Sequence, residues 1–249
     1  MAGYIDKIAD YWTAHGEKFE SGILRSLEEG NQDEWLETVL QGVCENESLD
    51  VLDVGCGPGF FPVILGREGH RVTGIDYTEH MVELAKKNCD QYGSDARILR
   101  MDAQNLEFDD ESFDIVVSRD VLWNLDDPAW AYSEWMRVLR PGGHIVMFDG
   151  NYYLYAHDDA YKDMNVERHI QLYHKNEDEK CRDRLFYMAN IAEKLPASMF
   201  RRPQWDVCTL IELGASSVTA FCDKEDSVIT EENGREIHLP FHFHVIAYK

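Results

Sequence analysis

Between positions 49 and 150 the apolar residues fall into short, nearly continuous runs instead of a strict inside–outside alternation. Val51 to Val54, Arg71 to Ile75, Ile115 to Val117 and His144 to Phe148 have the length of strands. Strands that are apolar on both faces predict a sheet covered on both sides. Helical spacing fills the intervals. One pattern starts at Thr78, a capping residue type, carries Met81, Ala85 and Cys89 on a single stripe, and stops near Gly93. Asp127-Pro128, a cap followed by proline at the first helical position, predicts a second helix from Asp127 to Leu139 with Ala131, Trp135 and Leu139 on its buried face. Pro141-Gly142-Gly143 is read as the break before the next strand. Strands alternating with helices predict an α/β fold with a doubly wound, mostly parallel sheet.

The flanks read differently. Residues 1–48 hold three helical patterns, Tyr4 to His15, Phe19 to Glu29 and Gln32 to Cys44. Asn151 to Arg202, rich in Tyr, His, Lys and Asp, is read as mostly helical. It leaves the carboxyl end of a strand, the end at which such sheets bind ligands, and is therefore expected to be a substrate lid. Strands near Ser217 to Cys222 and Phe241 to Tyr248 close the chain, joined by a polar, turn-rich stretch from Asp223 to Gly234.

The first strand opens into Gly55-Cys56-Gly57-Pro58-Gly59, with glycine at every second position. Backbone that passes close to a ligand needs residues without a Cβ. The second strand ends in Asp76, close to where an acidic side chain grips the hydroxyls of a ribose. The G-x-G-x-G spacing differs from the G-x-G-x-x-G of dinucleotide sites and points to an adenosine ligand with a smaller polar tail.

VLDVGCGPGF at Val51 to Phe60, VTGIDYTEHMVELAKK at Val72 to Lys87, Met101-Asp102-Ala103, DIVVSRDVLWNL at Asp114 to Leu125 and RVLRPGG at Arg137 to Gly143 follow in order. In these motifs the chain resembles the class I S-adenosylmethionine-dependent methyltransferases, with a core of the ubiquinone- and menaquinone-biosynthesis type. The resemblance implies a Rossmann-like sheet of seven strands with an antiparallel last strand. It also implies one domain: a helical cap (1–48), a cofactor-binding core (49–150), a lid (151–210) and closing strands (211–249). The cofactor implied is S-adenosylmethionine, its product S-adenosylhomocysteine, and the acceptor a small molecule. By the same resemblance Gly55 and Gly57 pass beneath the methionine portion, Gly59 belongs to the same cofactor-binding loop, and Asp53 orients the loop and the amino group. Asp76 takes the ribose hydroxyls, Tyr77 and Met81 flank the adenine, Asp102 with the Ala103 N–H reads its polar edge, and Arg119 lies near the methionine amino group.

The acceptor is set outside these motifs. Where many small-molecule members carry a histidine pair, this chain has Trp123-Asn124. The D/N-P-P-Y/F motif of nucleic-acid amino methylation and a Pro-Cys pair for attack on cytosine are both absent. Tyr11, Trp12, Trp123, Asn151, Tyr152 and Tyr153 are the candidate substrate contacts, and Asp149, His157 and Tyr152 the candidate catalytic groups. His169 and His174 are further bases in the expected lid. Packing is the competing reading for the aromatic residues, helix capping for Asp149, and a surface position for each histidine.

Charge narrows the partners. Against 24 basic residues stand 47 acidic ones, a net charge of −23, and such a surface repels polyanions. Arg201-Arg202 is the one adjacent basic pair outside the core that could seed a patch. Six dispersed cysteines without C-x-x-C spacing read as reduced thiols, and no metal site is expected, since His242 and His244 lack an evident third ligand. No apolar run reaches membrane-spanning length and the first twenty residues lack the apolar core of a signal peptide, which predicts a cytoplasmic protein without a membrane partner. A protein or peptide methyltransferase, a non-catalytic S-adenosylmethionine-binding protein, and an enzyme acting on a thiol or metalloid are the alternatives.

Overall fold

A computed structural model describes residues 4–30, 32–43, 47–162, 187–223, 228–230 and 236–249. His169, His174 and most of the expected lid lie outside the described residues.

Strands and helices alternate in order, with β3 not read from the sequence: β1 (Asp50–Val54), α3 (Phe60–Arg67), β2 (Arg71–Asp76), α4 (Glu79–Tyr92), β3 (Arg97–Arg100), β4 (Phe113–Arg119), α5 (Pro128–Val138) and β5 (Leu139–Gly150). They are preceded by α1 (Tyr4–Glu29) and α2 (Gln32–Val39) and followed by α6 (Gln204–Glu212), β6 (Ser217–Cys222), β7 (Val228–Thr230), β8 (Glu236–His238) and β9 (His242–Tyr248). The main sheet has seven strands in the order β3-β2-β1-β4-β5-β9-β6. β9 runs antiparallel to both neighbours, and the other pairings are parallel. Two apolar clusters occupy the two faces. Leu52, Val116, Ile145 and Val245 pack with Trp135 of α5 and Leu210 of α6. Val51, Val117, Val146 and Ile246 pack with Ile64 of α3, Val82 of α4 and Val39 of α2. Neighbouring residues of one strand thus serve opposite layers, which is why the strands read as continuous apolar runs.

Local chemistry sets the helix ends. Asp127 accepts the Trp130 N–H at 2.9 Å and caps α5, with Pro128 in the first turn. Gly93, at φ 74°, ends α4 in the left-handed conformation that costs glycine little. Three details depart from the sequence reading. The patterns at Tyr4 and Phe19 are one helix, because Gly16 stays helical and lets α1 cross α4 closely: a Cβ there would lie 2.6 Å from His80 Cδ2. Pro141-Gly142-Gly143 belongs to β5 as a local register shift against β4 and does not precede the strand. Part of the polar stretch before β9 pairs as the β7–β8 ribbon.

Candidate functional site

The carboxyl ends of β1, β2, β3 and β4 meet under α1 and enclose a cavity of about 760 Å³, counting its open mouth. Gly55, Gly57, Asp76, Tyr77, Met81, Asp102, Ala103 and Arg119 line it, together with Trp12 and Phe19 from α1. Gly57 has φ +51°, and a Cβ on it would meet only Phe19 Cε1, at 3.5 Å, so its missing side chain leaves open space. Its N–H donates to Asp76 Oδ2 at 3.0 Å, while Asp76 Oδ1 accepts the Thr78 N–H at 2.8 Å. Each carboxylate oxygen keeps a second lone pair for a hydroxyl. Asp102 Oδ1 accepts the Gln104 N–H at 2.9 Å. Tyr77 donates its hydroxyl to Asp6 of α1 at 3.3 Å, which fastens the covering helix to the end of β2.

Two expected cofactor contacts are not in the lining. Gly59 begins α3 at φ +92°, and a Cβ there would lie 3.2 Å from the Ala85 backbone; its bareness serves the packing of α3 on α4. Asp53 is buried beneath the loop, and its Oδ2 has no hydrogen-bond partner. Burial pushes this carboxyl up to about 8 against the opposing pull of Arg119. The Arg119 guanidinium is itself held among aromatic rings, 4.7 Å from the centroid of Phe60 and 5.1 Å from that of Trp35.

The expected acceptor residues separate into three groups. Trp12 lines the first cavity and, with Tyr11, Tyr152 and Tyr153, packs around the buried Trp123, with Met188, Ala192 and Ala197 completing the cluster. Asp149 and Asn151 are both pinned by buried partners, and Asp149 also lines the second cavity described below. Asp149 accepts from Arg202 Nη1 at 2.9 Å, the Trp123 N–H at 3.3 Å and the Gly150 N–H at 2.8 Å, and the other side of Arg202 pairs with Asp206. Asn151 donates to the Arg202 and Pro240 carbonyls. The physical reason is burial: the Asp149, Arg202 and Asp206 side chains are at most 1 % exposed, so the pair read as a basic patch supplies one buried cation and one, Arg201, that is paired with Asp158. His157 is exposed, and its Nε2 lies against the Glu193 carbonyl, outside both cavities.

Tyr152 does reach a cavity, and its partner was missed. Its hydroxyl donates to Asp120 Oδ1, and Asp120 stands in the left-handed region at φ 59°, unusual for a residue with a side chain. Asp120 and Arg119 line the first cavity and also a second one beside it. The position immediately after the carboxyl end of β4 was the available signal for Asp120. Among the described residues no group of three or more His, Cys, Asp and Glu side chains is arranged to hold a metal ion, and no helix is long and apolar enough to cross a membrane.

The strand order, the glycine loop and an acidic residue at the end of β2 define a class I methyltransferase fold. Residues 52–147 match the family model described as a methyltransferase domain. Over 118 residues the chain is 33 % identical to the demethylmenaquinone methyltransferase of Staphylococcus aureus, a match that covers 46 % of this chain and 48 % of that one. The chain thus spans about half the length of the curated relatives it matches. Two solved S-adenosylmethionine-dependent methyltransferases share the fold over nearly the whole chain. The one from Thermotoga maritima has a TM-score of 0.57 at 17 % identity, covering 96 % of this chain and 99 % of that one. The one from Aquifex aeolicus has a TM-score of 0.52 at 19 % identity, covering 92 % and 97 %. Residues 52–147 thus carry the match to a methyltransferase domain, set in a fold shared with S-adenosylmethionine-dependent methyltransferases.

Proposed function

We propose that this protein transfers a methyl group from S-adenosylmethionine to a small-molecule acceptor, and that the cavity under α1 holds the cofactor. The observation that carries the reading is the convergence of Gly57, Asp76, Asp102 and Arg119 from four strand ends on one enclosed space. The residues fit the group. Asp53 Oδ2 is a buried acceptor without a donor beneath the glycine loop, so its charge is left for a cation brought to that loop. The open space at Gly57 admits a ligand against bare backbone.

In this reading Asp76 accepts the ribose hydroxyls, Tyr77 and Met81 flank the adenine, Asp102 and the Ala103 N–H read its edge, and Arg119 meets the amino-acid end, with Asp53 acting from beneath the loop. The cofactor supplies an electrophilic methyl group already activated on a sulfonium. The chain's own work is to align a nucleophile and exclude water, effects that in favourable cases lower a barrier by about 7–11 kcal/mol. α1 excludes water, with Ile5, Ile8, Trp12 and Phe19 closing the cavity from above.

A small acceptor is supported by the aromatic cluster around Trp123, whose amphipathic side chains suit an organic ligand. The same reading places the protein in the cytoplasm, acting without nucleic acid or membrane. The test is release of S-adenosylhomocysteine with a panel of small acceptors compared with peptides. Turnover on peptides alone would overturn the small-molecule reading.

A further inference from the structure

The main sheet ends in two edge strands that differ in kind. β3, at one edge, is Arg97-Ile98-Leu99-Arg100, with an arginine at each end to discourage a further strand from pairing. β6, at the other edge, is Ser217-Val218-Thr219-Ala220-Phe221-Cys222, without a charge, a proline or a register shift. Among the described residues it pairs with β9 alone.

Register identifies the free backbone groups of β6. The Asp223 N–H donates to the His242 carbonyl at 3.1 Å, next to the paired Cys222 and Phe243. Amides alternate in direction along an antiparallel strand, so Ser217, Thr219 and Phe221 turn theirs towards β9, and Val218, Ala220 and Cys222 turn theirs outward. Such a row of N–H and C=O groups is a template for another strand.

The border around this edge is poor in charge. From Gln204 to Cys222, through α6 and β6, there is no basic residue, and the acidic ones are Glu212 and Asp206, the latter buried against Arg202. Ile211 and Phe221 stand 57 % and 42 % exposed, and Phe221 is held in place by stacking on His244 with centroids 4.6 Å apart. In a chain of net charge −23 this border offers no ionic attraction to a charged partner, whereas an equally neutral, apolar border matches it.

We propose that β6 pairs antiparallel with β6 of a second copy of this chain, joining the two seven-stranded sheets across a two-fold axis at Ala220. A two-fold axis perpendicular to the sheet keeps every side chain on its own face, so opposed residues must be an even number apart. Centred on Ala220, Val218 lies opposite Cys222 of the second copy and Ala220 opposite its counterpart, and each outward N–H meets an outward carbonyl. Thr219 then lies opposite Phe221 of the second copy, a β-branched residue against an aromatic ring. Asp223 falls opposite Ser217, so no two carboxylates face each other across the strands. Away from the seam two bodies of charge −23 repel, and salt screens that repulsion. The inference is independent of the methyltransferase reading, because β6 lies outside the strand ends that enclose the cavity under α1.

Sedimentation velocity on the full chain over a range of concentrations, at about 50 and 500 mM salt, tests the proposal. A reversible dimer is expected, tighter at the higher salt. Ala220→Pro removes an outward N–H that β9 does not use, and proline is tolerated at such edge positions. Thr219→Glu adds a charge at an exposed position and keeps the N–H turned to β9. Each variant should weaken the dimer about tenfold or more, with S-adenosylhomocysteine affinity unchanged. Thr219→Glu decides the outcome if the proline variant does not fold. A monomer under all conditions, a dimer that salt weakens, or a dimer that Thr219→Glu leaves intact would overturn the proposal.

Discussion

The backbone N–H of Gly57 donates to Asp76 Oδ2 at 3.0 Å, joining the glycine loop after β1 to the end of β2. Asp76 therefore has two duties: it shapes the loop and offers its remaining lone pairs to a ligand. Asp76→Ala should weaken S-adenosylhomocysteine by about 1–3 kcal/mol through loss of a charged acceptor. Titration calorimetry reads this directly, and unchanged affinity would remove Asp76 from the cofactor site.

Gly57 and Gly59 should respond to substitution in opposite ways. Gly57→Val places its side chain in the open cavity, so cofactor binding should be lost, with a smaller loss of stability from the strained backbone at φ +51°. Gly59→Val drives its side chain towards the Ala85 backbone, 3.2 Å from the Cβ position, at φ +92°, so thermal stability should fall first. Far-UV circular dichroism melts and calorimetry on both variants separate the two outcomes. Equal loss of stability in both would contradict the assignment.

Asp53 should make cofactor binding release a proton. Its carboxyl, raised to about 8 by burial, is largely protonated at pH 7, and a nearby ligand ammonium favours the ionised form. Binding enthalpies in buffers of different ionisation heat should show release at pH 7, little at pH 9, and none in Asp53→Asn. The stability consequence has a definite sign. Because the folded pKa lies above the unfolded one, the native state binds more protons between about 4 and 8. This group's stabilisation of the unliganded protein is fully present below about pH 4, declines as pH rises from there, and is lost by about 8.

The carboxyl end of β5 separates structural from catalytic roles. Removing the guanidinium in Arg202→Ala leaves Asp149 and Asp206 buried without their cation, which should cost about 3–5 kcal/mol in urea unfolding. If Asp149 were the catalytic base, Asp149→Asn would abolish turnover without moving the unfolding midpoint; a lowered midpoint with cofactor affinity retained is expected.

The parallel core was legible because its strands are buried on both faces and its helices carry local signals: Asp127-Pro128 caps α5, and Gly93 ends α4. The glycine loop and Asp76 were legible because their spacing follows the geometry of a strand end. What escaped depended on distant partners. Gly16 reads as a helix break until α4 lies against it, and Asp149 reads as an active-site carboxylate until Arg202, 53 residues away, closes on it. Asp120 escaped for the same reason, since β4 and β5 become neighbours only in the folded sheet.

The central claim is that the cavity between the glycine loop and α1 is an S-adenosylmethionine site. Titration of the intact protein with S-adenosylhomocysteine, repeated with NAD and with Gly57→Val, tests it most directly. The account predicts saturable binding of S-adenosylhomocysteine, no binding of NAD, and loss of binding in the variant. Binding of NAD in its place, or S-adenosylhomocysteine affinity unchanged by Gly57→Val, would contradict it.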